Sequence, residues 1–310
     1  MIVNPFQSAA EIALSRIRDA LGPRGQWPGT VTLDRDPGRA RSDLAPPLTA
    51  LGVLALQGVP LAGVADLLSL SHNHLRLTML PGGLWRYYAN IPPDTDDSAM
   101  CALALADADR ESVALTRASL TATRLPNGLF PTWFAPGWSP VVDPVPVAHV
   151  VALLGSGQST DEAVAWLTTV VADAREVTES AYYPDPLDTH VAISRAVARG
   201  VSGLRSALDQ AQERAVKRLL APAAESAYRT AQALVVIESM RGRSAQAART
   251  CGRDRLLAAR LTDGTWPTHT LFEAGNSTGP GRYLYQSWAI VGALCVRALT
   301  LPVEDQAGAV

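Results

Sequence analysis

Lysine is almost absent: Lys217 is the single one among 27 basic residues, set against 29 Asp and Glu for a formal charge of -2. Such a balance excludes a dedicated nucleic-acid binder, whose phosphate contacts need a basic excess. Cysteine is scarce. Cys101, Cys251 and Cys295 are far apart, odd in number and outside any C-x-x-C spacing, which argues against a disulfide framework or a cysteine zinc site and fits a reducing compartment. Long hydrophobic runs are missing as well: Leu48 to Val64 and Val145 to Leu154 are short or broken by Gly52, Gly58 and Pro60, below the roughly 20 clean residues that cross a bilayer. The start Met1-Ile2-Val3-Asn4-Pro5 has neither a basic n-region nor an apolar h-region, so a soluble, cytoplasmic protein is expected. Aromatic side chains make up only 6% of the chain, and period-two alternation is hard to find.

What the chain does have is alanine and helical periodicity. Apolar residues recur at spacings of three and four through segments such as Ala9 to Leu21 and Asp161 to Ala174, while Gly and Pro gather in the joints. About twelve helices are expected, in a single domain over residues 1–310. A self-comparison adds a repeat: Gly25-Gln26-Trp27, Gly83-Leu84-Trp85, Gly128-Leu129-Phe130 and Gly264-Thr265-Trp266 are each a glycine, any residue, then a large aromatic. Their spacing fits a unit of about 45 residues, enough for two helices and their joints, and six such units occupy roughly the length of the chain. Tyr182-Tyr183-Pro184-Asp185 reads as a worn copy of the stretch from Tyr87-Tyr88 to Pro93-Asp94. The natural closure is an all-α (α/α)6 barrel, a toroid of six inner and six outer helices.

The segment Pro92-Pro93-Asp94-Thr95-Asp96-Asp97-Ser98-Ala99 places three carboxylates in four positions before the apolar run Met100 to Ala106. This is a helix N-terminus, where Asp94 can serve as N-cap and Asp97 as its capping-box partner. Capping leaves Asp96 unexplained. Like charges this close cannot all ionise cheaply, whereas a helix N-terminus favours the anions it binds. The expected outcome is that Asp94 and Asp97 are hydrogen-bonded anions and Asp96, facing an apolar cavity, is protonated and able to act as a general acid.

The stretch Asp94-x-Asp96-Asp97-Ser98-Ala99 resembles the D-x-D-D-[ST]-A signature of class II terpene cyclases of the squalene-hopene cyclase and copalyl diphosphate synthase type. The Gly-x-aromatic copies resemble that family's degenerate QW-type repeats. The resemblance implies an isomerase in isoprenoid biosynthesis that cyclises a prenyl diphosphate of C15 or C20 length or a prenylated small molecule. Asp96 would protonate a terminal alkene or epoxide, held by Asp94 and Asp97. It implies aromatic walls for the cation, each ring contributing about 0.5–2 kcal/mol. Candidates are Trp85, Tyr87, Tyr88, Trp133, Phe134, Trp138, Tyr182, Tyr183, Tyr283, Tyr285 and Trp288. Members of that family usually carry a second helical domain, whereas 310 residues hold one toroid only.

Other polar residues fall at the starts of expected inner helices, among them Asp43, Asp143, Asp188, His190, Tyr228 and Tyr285. Asp188 or His190 could orient the acid or take the final proton. Arg35, Arg39 and Arg41, flanking Asp34 and Asp36, form a loose cluster that could hold a diphosphate bidentately. His72-Asn73-His74 puts two histidines on different helix faces without a third ligand, so no metal site is expected. The acid step needs no cofactor, with Mg2+ assisting only a diphosphate substrate. The expected partner is a small isoprenoid, not nucleic acid, and a homodimer is compatible with all of this. Two other classes remain at this level: a non-terpenoid isomerase or lyase using the same acid, and a non-catalytic toroid binding module in which the acids only cap a helix.

Overall fold

A computed structural model describes residues 4–133, 135, 138, 140–223, 225–275 and 281–301. Along the chain run α1 (Pro5–Ala20), β1 (Gly29–Leu33), β2 (Asp36–Asp43), α2 (Pro46–Leu56), α3 (Val64–Thr78), α4 (Thr95–Leu105), α5 (Arg110–Ala122), α6 (Pro144–Leu154) and α7 (Asp161–Ala172). They are followed by α8 (Glu176–Glu179), α9 (Pro186–Ala198), α10 (Arg205–Leu220), α11 (Ala227–Val236), α12 (Arg243–Ala258), β3 (Thr270–Ala274), β4 (Tyr283–Gln286) and α13 (Trp288–Thr300). No helix among the described residues is long and apolar enough to cross a membrane.

Two kinds of helix alternate. α2, α4, α6, α9, α11 and α13 are buried along most of their length, and a helix apolar on nearly all sides has no other stable place. Each packs against two others of the set: α2 on α4, α4 on α6, α6 on α9, α9 on α11, α11 on α13, and α13 back on α2. The amphipathic helices α1, α3, α5, α7, α10 and α12 lie against them, α1 on α13, α3 on α2, α5 on α4, α7 on α6, α10 on α9 and α12 on α11. Five of the six inner helices open on a side-chain cap, namely Asp94, Asp143, Asp185, Ser226 and Ser287. Each cap accepts a backbone N–H that the helix itself cannot satisfy.

The expectation of an all-helical chain needs one correction: β1 to β4 form a four-stranded antiparallel sheet in the order β2-β1-β4-β3. Its strands are four to eight residues long, and β2, Asp-Pro-Gly-Arg-Ala-Arg-Ser-Asp, is almost wholly polar and exposed. Strands without an apolar face leave no alternation to detect.

The Gly-x-aromatic repeat is one turn built four times. In each copy the residue three before the glycine donates its N–H to the carbonyl just after the glycine: Gly22 to Gln26, Leu80 to Leu84, Leu125 to Leu129 and Leu261 to Thr265, all at 2.8–2.9 Å. The four glycines sit at φ between +70° and +88°, a region L side chains avoid. The aromatic that follows is fully buried, a placement worth on the order of 2–3 kcal/mol for a large side chain. The three indoles donate to Ser71 Oγ, Leu75 O and Leu256 O. Each glycine also abuts the next outer helix around the ring: Gly25 meets Leu70 of α3, Gly83 meets Thr116 of α5, Gly128 meets Glu162 of α7 and Gly264 meets Ile12 of α1. The last contact ties the end of the chain to its start.

A Cβ on Gly83 would lie 2.7 Å from the Thr116 backbone nitrogen, whereas one on Gly155, equally left-handed at φ +85°, meets nothing within 4 Å. Gly83→Ala is therefore expected to lower unfolding free energy by about 1–3 kcal/mol more than Gly155→Ala in urea titrations, because overpacking adds to the backbone strain both share.

Candidate active site

Pro92 and Pro93 disfavour helix, and Asp94 follows in an extended conformation with its carboxylate accepting the Asp97 N–H at 2.7 Å. A strap at Pro131–Trp133 pins this start: Thr95 N donates to Thr132 O at 2.9 Å, and Asp94 and Trp133 form an antiparallel bridge. α4 is an inner helix, so its N-terminal acids cannot turn to solvent. Asp94, Asp96 and Asp97 are 6%, 8% and 5% exposed.

All three line a cavity of about 230 Å3 at the N-terminal end of the inner helices. Its other walls are largely aromatic: Tyr87, Tyr88, Trp133, Trp138, Tyr182, Tyr183, Phe272 and Tyr285, with Ile91, Met100, Thr132 and Ala274. The sheet supplies part of this wall. The β3–β4 register sets Phe272 opposite Tyr285, their rings stacked with centroids 4.7 Å apart, and Tyr87 meets both edge-on. Asp43 holds Tyr87 and Tyr88 by accepting their hydroxyls at 2.7 and 3.3 Å. Trp133 donates its indole N–H to the Tyr182 hydroxyl at 2.7 Å and packs on Trp138.

Asp96 has two partners from different elements. Oδ1 lies 2.7 Å from His149 Nδ1 of α6, and Oδ2 accepts the hydroxyl of Tyr183. Beyond the imidazole, Arg195 of α9 approaches His149 Nε2 at 3.2 Å. A guanidinium only donates, so Nε2 is the acceptor, Nδ1 carries the imidazole proton, and His149 donates to Oδ1. Oδ2 is left as the oxygen that faces Tyr183. Tyr183 is placed by Asp143, the α6 cap, whose Oδ2 accepts Ser180 Oγ and Ala181 N at 2.7 and 2.8 Å. Ser180 Oγ in turn accepts the Tyr183 N–H at 2.9 Å. Burial, with Asp96 alongside, pushes the Tyr183 hydroxyl well up, which keeps it a donor.

The expected charge pattern is revised. Burial first, then the neighbouring Asp96, pushes Asp94 from its ordinary 3.8 up to about 8, despite the backbone N–H groups of Asp97 and Asp96 that pull it down. Asp97 is pushed well up by burial, then by Asp94 and Asp96. One helix N-terminus does not repay desolvation of adjacent carboxylates, so both pKa values rise instead of falling as capping alone would have them.

Several residues singled out from the sequence lie elsewhere. Trp85 is fully buried under α3, donating to Leu75 O, and Trp288 packs half-buried at the start of α13. Arg35 lies in the exposed β1–β2 turn and Arg39 on β2, paired with Asp36 at 3.5 Å; neither lines the cavity. Asp188 is held by Arg229 and Gln232 at 2.7 and 2.8 Å. His190 meets Glu176 at 2.8 Å beside a separate cavity with Arg214 and Arg218. Two residues apart on one helix they point different ways, and neither reaches Asp96's cavity. Phe134 lies outside the described residues. His149, Arg195 and Phe272 were not singled out, yet a lone His within the apolar run Val145 to Leu154 was a signal: an imidazole there needs a buried partner.

Similar structures share this arrangement of the chain. Type II terpene cyclase MstE from Scytonema, in complex with its substrate geranylgeranyl dihydroxybenzoate, superposes with a TM-score of 0.70 at 18% identity, over 96% of this chain and 97% of that one. The ent-copalyl diphosphate synthase from Streptomyces platensis matches with a TM-score of 0.55 at 19% identity, over 83% of this chain and 50% of that one. An α-amylase from Clostridium perfringens matches with a TM-score of 0.64 at 12% identity, over 97% and 99%. No protein-family model matches the sequence, and no curated protein is similar to it. The chain thus has the fold of single-domain type II terpene cyclases, a fold that also carries other chemistry.

A carboxyl whose pKa is higher in the folded chain than in the unfolded one binds its proton more tightly when folded. Stability then falls as pH rises from the unfolded value near 3.8 and levels off above about 8. Asp94→Asn is expected to flatten this decline in denaturant melts taken between pH 4 and pH 8.5.

Proposed function

We propose that this chain is a class II, protonation-initiated terpene cyclase built as an (α/α)6 barrel, with Asp96 as the general acid. One observation carries the reading: Asp96 stands at the wall of an aromatic cavity with a separate donor on each carboxyl oxygen. The cyclic succession of contacts among the six inner helices supports the barrel.

The reaction begins when the π pair of a terminal alkene takes the proton from Oδ2 and a tertiary carbocation forms. The O–H bond electrons remain on the carboxylate. His149 Nδ1–H and the Tyr183 hydroxyl then hold a negative charge that was absent before the transfer, so they stabilise the transition state more than the ground state. Further double bonds of the chain attack the cation in turn, and loss of a proton from the last cation makes the overall change an isomerisation. Tyr87, Tyr88, Trp133, Tyr182, Phe272 and Tyr285 face the positive charge with π surfaces that cannot capture it as a nucleophile would.

The substrate we favour is a prenylated small molecule with a C15 or C20 chain. No Arg or Lys lines the cavity among the described residues, so nothing there matches a diphosphate, and MstE offers a precedent in geranylgeranyl dihydroxybenzoate. A prenyl diphosphate is the second choice, and Mg2+ would enter only with it.

Asp96→Asn is expected to abolish turnover of a panel of isoprenoids read by mass spectrometry, with an unchanged circular dichroism spectrum. His149→Ala and Tyr183→Phe each remove one donor and should lower kcat by about 100- to 1000-fold. Full activity in Asp96→Asn would end the proposal.

A further inference from the structure

At the other end of the barrel, where the inner helices finish, lies a second cavity of about 210 Å3. Its floor is apolar, made by Leu54 of α2, Leu103 of α4, Val235 of α11 and Leu294 of α13. Its charges are unbalanced. Arg195 of α9, Arg199 just past its end and Arg297 of α13 face one carboxylate, Glu238.

That carboxylate is already engaged. Arg297 donates to Glu238 at 2.7 Å and to Gln57 O at 3.0 Å, and its Nε is buried without a partner. Among the described residues no carboxylate lies within ion-pair distance of Arg195 or Arg199. Arg195 donates to a neutral acceptor, His149 Nε2. Burial pulls Arg195 down to about 10, and Arg297 and Arg199 pull in the same direction. A half-buried guanidinium with no anion within ion-pair distance is costly, and water can hydrate it without cancelling its charge.

We infer that this cavity is a binding site for a phosphate-type oxyanion, gripped by Arg195 and Arg199 and flanked by Arg297. Guanidiniums from two helices present several planar N–H forks, which a tetrahedral oxyanion satisfies better than a single carboxylate does. The apolar floor leaves room for a short alkyl group on the anion. The site is separate from the Asp96 cavity, and its occupancy can be measured whether or not the chain is a cyclase.

The test is calorimetric titration of the full chain with inorganic phosphate, inorganic diphosphate and hexyl phosphate, at ionic strength held constant with sodium chloride. The expected result is saturable one-to-one binding of at least one of the three. Arg195→Gln should weaken it about 10- to 100-fold, as loss of a charged hydrogen bond does, and Arg199→Gln should weaken it several-fold. Arg199 is exposed and makes no side-chain hydrogen bond or ion pair among the described residues, so its variant carries the test if Arg195→Gln does not fold. Tighter binding of hexyl phosphate than of inorganic phosphate would assign the floor to a ligand's tail, and equal binding would assign the site to the free anion. Absence of saturable binding, or affinity indifferent to both substitutions, overturns the inference.

Discussion

Three carboxyl groups are buried within four residues at the start of one inner helix, and much of the molecule is arranged around the cost of keeping them there. Desolvation and mutual repulsion oppose it. Asp94 answers locally, by accepting the Asp97 N–H at the α4 N-terminus. Asp96 answers with donors from two other parts of the ring, His149 and Tyr183. The second solution is not local to α4, so Asp96 depends on closure of the whole ring.

The cavity over these acids is completed by parts that are not inner or outer helices. The sheet sets Phe272 and Tyr285 against Tyr87, and the Pro131–Trp133 strap brings Trp133 beside Asp94. Carboxylates outside the trio hold the loops that carry the walls: Asp43 grips Tyr87 and Tyr88, and Asp143 grips the segment leading to Tyr183. The sheet and loops of this chain therefore supply an enclosing wall over the acids. The sheet also joins the two ends of the chain, because β1 pairs with β4 across more than 250 residues.

A polar thread runs through the ring from Arg195 through His149 to Asp96 and Tyr183. Its direction is set at the arginine end, since a group that can only donate determines which imidazole nitrogen is left to donate onward. The thread links the two cavities physically, with the acid at one end and the arginine-rich pocket at the other. Asp188 and His190 stand outside it. Each is engaged by its own partner, Arg229 and Glu176, which position neighbouring helices against one another.

The sequence by itself determined the elements whose signals are local. Helical periodicity marked the two helix layers, the Pro-Pro-Asp start marked the opening of α4, and four Gly-x-aromatic copies marked a turn whose backbone needs glycine and whose ring needs a buried slot. Local physics is enough for these, because φ angles, capping and amphipathic faces are settled within a few residues. The raised pKa values of Asp94 and Asp97, the partners of Asp96, and the displacement of Asp188, His190, Arg35 and Arg39 from the cavity were decided only by the tertiary structure. His149 and Tyr183 are 53 and 87 residues from Asp96 along the chain, and no periodicity spans such gaps. Burial and long-range hydrogen bonds govern those properties, and both exist only once the ring has closed.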